Sequence, residues 1–189
     1  MKRAFAFVIA AAALFAPSPA AAQTGAHTWF ASPFLGATFG GDTTTSAPAV
    51  GAAAGWIGTG RFGFEAEIAD SPEFFEQSGF LTSRRVTTVM GNALFLIGPE
   101  RARVYAAGGG GLVRPHLAEA GDLASVEIDK FGVNVGGGIL SHISDRTGVR
   151  ADVRYIRTVR SSDVDANPFG LDFSRFEFWR AYAGLVVKF

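Results

Sequence analysis

Runs in which every second residue is apolar recur eight times along this 189-residue chain. A period of two is the signature of a strand with two chemically different faces. In Phe62-Gly63-Phe64-Glu65-Ala66-Glu67-Ile68 one face carries Phe, Phe, Ala and Ile, and the other Gly and two Glu. In Val149-Arg150-Ala151-Asp152-Val153-Arg154-Tyr155 the faces are Val, Ala, Val, Tyr against Arg, Asp, Arg. Phe131-Gly132-Val133-Asn134-Val135 repeats the pattern. The predicted strands span 29–40, 48–58, 61–69, 86–97, 103–113, 130–142, 148–158 and 176–189. No long stretch has apolar residues at helical spacing, and nothing after Gln23 offers 18 consecutive apolar residues for a membrane helix.

The connections sharpen the topology. Tight turns at 58–60, 98–101 and 144–147 alternate strictly with longer polar links at 41–47, 70–85, 114–129 and 158–175. An eight-stranded up-and-down antiparallel barrel has this form when one rim carries short turns and the other free loops, as outer-membrane barrels do. A lipocalin-like soluble barrel shares the strand count and differs in which face points inward. Three features favour the membrane. The polar faces carry Glu65, Glu67, Arg150, Asp152 and Arg154, a set that can pair across a lumen. Aromatic residues gather towards strand ends: Trp29, Trp56, Phe62, Phe95, Tyr105 and Phe189 at the short-turn rim, Phe131, Phe176, Phe178 and Trp179 at the other. Two such girdles suit the two headgroup regions. The sequence also ends in an alternating Tyr182-Ala183-Gly184-Leu185-Val186-Val187-Lys188-Phe189.

The first 22 residues read as a cleaved secretory signal rather than as part of the fold. Lys2 and Arg3 supply the positive start, residues 4–15 the apolar stretch, and Ala20 and Ala22 the small-residue cleavage pattern. The apolar stretch is too short to cross roughly 30 Å of hydrocarbon as a helix. Residues 23–189 are then one outer-membrane β-barrel domain, with both termini on the periplasmic, short-turn side. With no cysteine, disulfides, thiolate chemistry and zinc ribbons are excluded. Seventeen basic residues against 17 acidic ones argue against a nucleic-acid partner.

Several stretches together resemble the bacterial outer-membrane β-barrel domain family that includes small OmpA-like and OmpX-like barrels of Gram-negative cell envelopes. They are Pro33-Phe34-Leu35-Gly36, the Gly-Phe-Glu-Ala-Glu strand at 63–67, and Val104-Tyr105-Ala106-Ala107 with the glycine run at 108–111. The runs at 131–138 and 149–155 complete the likeness, which covers nearly all of the chain after the signal. This resemblance implies an outer-membrane location with lipid, lipopolysaccharide and the barrel assembly machinery as partners, and surface ligands reached through the loops. It also implies that Tyr182, Gly184, Val187 and Phe189 form the assembly signal. No carboxy-terminal peptidoglycan-binding domain is expected. The implied role is structural or surface-interacting, with a narrow porin-like channel and a lipid A-modifying enzyme as alternatives.

An eight-stranded barrel is just wide enough for side chains to fill it. Glu65 and Glu67 on the third predicted strand stand diametrically opposite Arg150, Asp152 and Arg154 on the seventh, with Arg180 on the last strand able to join. Three acids against three bases is the balance that burial demands. This interior network reads either as a structural plug or as a gated path for ions or solutes.

Other signals look catalytic and are not expected to be. Gly58-Thr59-Gly60-Arg61-Phe62-Gly63 spells a dinucleotide fingerprint, but a strand follows it instead of the required helix. The glycine runs at 108–111 and 136–138 lie on neighbouring strands and are expected to make room for bulky inward side chains or to let the strands bend. His142 and Ser144 invite a hydrolase reading, yet Ser144 falls in a turn and at the rim away from surface lipid A. His27 and His116 are solitary, so no metal site, cofactor or catalytic set is expected. Asp163, Asp165, Asp172, Glu119, Asp122, Glu127 and Asp129 read as solvated loop polarity in preference to a site for divalent cations bridging lipopolysaccharide. The aromatic and acidic residues at 71–76 form a candidate contact surface.

Overall fold

The computed structural model describes residues 28–41, 43, 46–58, 60–72, 81–99, 101–119, 125–127, 130–159 and 176–189. The signal segment with Ala20 and Ala22, His27, Asp122, Asp129, Asp163, Asp165, Asp172 and most of 71–76 lie outside them. Nine strands follow in chain order: β1 (Thr28–Phe39), β2 (Ala47–Ile57), β3 (Phe62–Ser71), β4 (Leu81–Ile97), β5 (Ala102–Glu119), β6 (Ser125–Glu127), β7 (Lys130–His142), β8 (Thr147–Thr158) and β9 (Glu177–Lys188). Every pairing is antiparallel. Eight of them close a ring, because β1 pairs with both β2 and β9 while β4 pairs with β5. Closure removes the open edges that hydrocarbon cannot satisfy.

Burial inverts the order of a soluble protein. Along β3 Gly63, Glu65, Glu67 and Ala69 are buried while Phe62, Phe64 and Ile68 are exposed. On β8 Arg150, Asp152 and Arg154 are buried and Val149 and Val153 exposed. Leu35 is 70% exposed and Arg154 0%. An apolar exterior around a charged interior is the membrane arrangement, and the lipocalin-like alternative falls on this face assignment.

Two connections differ from the sequence reading. The links predicted at 70–85 and 114–129 are shorter, because β4 begins at Leu81 and β5 runs to Glu119, with Leu81 opposite Glu119. The short β6, not anticipated, pairs with 116–118 of β5 outside the ring. Leu81-Thr82-Ser83-Arg84-Arg85 does not alternate apolar and polar residues, so the period-two signal stops where the ladder continues. Backbone pairing needs no apolar face.

The short turns are built by local geometry. Gly98 takes φ 112, a region L side chains rarely adopt, and a Cβ there would stand 2.8 Å from the Ala102 carbonyl oxygen. The Ala102 N–H closes this turn on the Pro99 carbonyl at 3.1 Å. Gly58 donates its N–H to the Phe62 carbonyl at 3.0 Å, so the G-x-G-x-x-G stretch is a turn into β3 and not a phosphate loop.

Candidate functional site in the charged lumen

The inward faces of β3, β8 and β9 bring Glu65, Glu67, Arg150, Asp152, Arg154 and Arg180 into one buried network. The β3 and β8 strands lie opposite each other in the ring, so only long side chains span the gap. Arg150 Nη1 reaches Glu65 Oε2 at 2.6 Å, and its Nη2 reaches Asp152 Oδ2 at 3.0 Å. Arg154 donates from Nη2 to Glu65 and from Nε to Asp152 Oδ1 at 2.9 Å, and its Nη1 stands 3.5 Å from Glu67 Oε2. Arg180 pairs with Glu67 through Nη2 and donates from Nη1 to Thr88 Oγ1 at 2.9 Å. Each carboxylate therefore meets two guanidinium groups, and no formal charge in this set is left without an opposite.

Polar residues that sequence reasoning missed complete the network. Asn92 Nδ2 donates to Glu65 Oε1 at 3.1 Å, and Asn134 Nδ2 donates to Asn92 Oδ1 at 2.7 Å. The Tyr105 hydroxyl donates to Asp152 and accepts from Arg150 Nε at 2.5 Å. The Tyr182 hydroxyl donates to Glu67 Oε2 at 3.0 Å while its ring stacks on Phe34 at 4.0 Å. Asn134, on the polar face of its run, carried a usable signal. Tyr105 did not, because an aromatic residue near a strand end reads equally as girdle, and Tyr182 carried only the assembly role that the resemblance implies.

Three expected girdle residues consequently turn inward. Tyr105, Phe176 and Phe178 are each under 5% exposed and fill the lumen, while Trp29, Phe62, Phe131, Trp179 and Phe189 face outwards. Tyr182 likewise lies on the luminal face, opposite in sense to the outward Val187 and Phe189, so the residues given one assembly role divide between two faces. Gly184 sits between them, where a Cβ would meet Pro33 O at 2.6 Å.

Apolar clusters lie in the lumen on either side of the ions. Towards the long loops Val86, Met90, Val113, Ile156, Phe176 and Phe178 pack together. Towards the short turns Phe30, Ile57, Leu94, Leu96, Leu140 and Val186 pack with Tyr105 and Ala107. The glycine runs make room in the wall, as expected. A Cβ on Gly138 would stand 2.6 Å from the Tyr105 hydroxyl, and one on Gly136 3.0 Å from Arg154 Cγ.

The sequence profile of the outer membrane protein beta-barrel domain matches residues 7–176. The chain belongs to this family. Among solved structures the barrel is similar to Neisserial surface protein A, with a TM-score of 0.65, 13% identity and coverage of 87% of this chain and 99% of that one. It is similar to outer membrane protein H of P. aeruginosa at a TM-score of 0.54 and 18% identity, covering 85% of this chain and 99% of that one. The attachment invasion locus protein of Yersinia pestis gives 0.52 and 16%, over 86% of this chain and 99% of that one. No curated protein sequence matches the chain. Family and neighbours indicate a bacterial outer-membrane protein.

The hydrolase candidates lie at the short-turn rim of the barrel. Ser144 Oγ accepts the Arg146 and Thr147 N–H groups at 3.3 and 3.1 Å and lies 2.7 Å from Thr147 Oγ1, so it caps its own turn. His142 ends β7, and His116 lies on β5 opposite Glu127. Glu119 ends β5. Among the described residues no group of three His, Asp or Glu side chains is placed to hold a metal ion.

Proposed function

We propose that the barrel is a closed scaffold that holds its long loops at the cell surface and neither conducts ions nor carries out catalysis. The observation that carries this reading is the three-layered lumen, in which paired ions lie between two apolar layers. An ion crossing it would have to shed water twice into apolar packing and break buried pairs between, each of which is costly. The similar barrels include one named a surface protein and one named for attachment and invasion, which accords with a surface role. Lipid and lipopolysaccharide meet the apolar exterior, the last strand engages the assembly machinery, and the termini lie in the periplasm after signal cleavage.

Conductance in planar bilayers tests it. The wild-type barrel and Arg154→Glu are both expected at background. Discrete channels in the wild type, with a size altered by Arg154→Glu, would establish the channel instead. For the surface role, replacing the loops at 159–175 and 73–80 is expected to abolish surface adhesion while leaving heat-modifiable gel migration intact.

A further inference from the structure

Below the short-turn apolar layer the lumen changes character. Strand register carries the luminal face out to the turn ends, and cationic side chains occupy it there. Leu96 donates its N–H to the Arg61 carbonyl, which sets Arg61 on the side of the buried Leu96. His142 donates to the Arg101 carbonyl, and Arg103 is the register partner of the buried Leu140. Lys188 donates to the Arg146 carbonyl and stands opposite the buried Phe30. Arg61, Arg101 and Arg146 are exposed and Lys188 half-buried, and among the described residues none of the four has an ion-pair partner. Asp145 is the one acidic side chain at this rim among the described residues. At the opposite rim, by contrast, Arg85 pairs with Asp70 at 3.2 Å and Arg157 with Glu177 at 3.8 Å.

We propose that this mouth docks an acidic peptide segment that approaches end-on from the aqueous compartment. Charge complementarity sets the sign of the partner, and the guanidinium fork suits carboxylates. The distribution over faces chooses between an aqueous acid and a lipid phosphate. On the lipid side of this rim Trp29, Phe62, Ile97, Val104, Val187 and Phe189 are exposed and uncharged, so the cations ring the opening and not the lipid contact. They come from the three short turns and the end of β9, spaced around the ring, which matches several acids on one flexible chain better than a single ion. That the compartment is the periplasm rests on the orientation proposed above.

Anisotropy of a fluorescein-labelled oligoglutamate, with the full barrel in phosphatidylcholine nanodiscs, tests the site. Wild type is expected to bind at low salt and to release the probe near about 0.5 M salt, where screening shortens to a few ångströms. The combined substitution Arg61→Gln, Arg101→Gln, Arg146→Gln and Lys188→Gln is expected to weaken binding about tenfold or more, each charge giving roughly a two- to fivefold change. Should it fail to fold by gel migration, each single substitution is expected to show its own two- to fivefold loss by the same reasoning. Arg85→Gln with Arg157→Gln is expected to leave binding unchanged. No binding by wild type, or equal binding by the folded variants, overturns the proposal. So does selective quenching of Trp29 and Trp56 by brominated phosphatidylglycerol without oligoglutamate binding, which would assign the rim to lipid. Orientation is read separately by impermeant maleimide on Ser144→Cys in intact cells. Labelling there would move the partner to the cell exterior while leaving the binding result standing.

Discussion

Arg154 touches three carboxylates, those of Glu65, Glu67 and Asp152, while being wholly buried. Such a group stabilises the barrel only as long as its partners stay, because a buried charge without an opposite costs several kcal/mol. Arg154→Met is therefore expected to destabilise by about 3–5 kcal/mol in urea unfolding from lipid vesicles, through one buried negative charge left uncompensated among three acids that keep only Arg150 and Arg180. Adding Glu65→Gln to Arg154→Met is expected to recover part of that loss, the non-additivity of residues in one network. Strictly additive losses would mean that the pairs are independent. Arg85→Gln gives the contrast: its pair with Asp70 is 55% and 28% exposed, so the change is expected to stay below about 1 kcal/mol.

At the scale of the strand, alternation made most of the fold readable. It located all eight barrel strands and, through Glu65 and Arg154, identified which faces meet across the ring. It failed where two physical causes share one signal. Phe178 and Trp179 are adjacent aromatics, and only the register with β8, which sets Phe178 opposite the buried Ile156, decides that Phe178 faces inwards while Trp179 faces outwards. It failed also at 81–85 and 125–127, where ladder bonds persist although the sequence does not alternate over a strand's length. The glycines of β7 were readable as space but not as to whose. Gly138 lies against the Ala151 carbonyl and the Tyr105 hydroxyl, at 2.1 and 2.6 Å from a notional Cβ. Gly138→Ala is therefore expected to cost about 1–3 kcal/mol by overpacking, since the nearest contact is a backbone carbonyl that no side-chain change relieves. Gly91, with nothing nearer than 3.9 Å, is the comparison site, and its alanine variant is expected to refold like wild type.

For the whole molecule, the layers stand in series along one axis, and a barrier in series is set by whichever layer remains. The long-loop layer rests on Phe176 and Phe178, the short-turn layer on Phe30, Leu94 and Leu96, and the ions lie between. Opening one apolar layer therefore leaves the other dry. Phe178→Ala, whose cavity costs about 3–5 kcal/mol, is expected to lower stability without raising bilayer conductance above background. Leu94→Ala is expected to do the same from the other side, at about 2–5 kcal/mol. With both layers opened, the buried pairs of Arg154 and Arg150 become the last obstacle, and water reaching them weakens their attraction severalfold. Conductance is expected first in Phe178→Ala with Leu94→Ala and to grow further with Arg154→Gln, each preparation being checked for heat-modifiable migration so that leakage from misfolded protein is not counted. Channels from Phe178→Ala alone would mean that one apolar layer holds the barrel shut and that the ion layer already conducts.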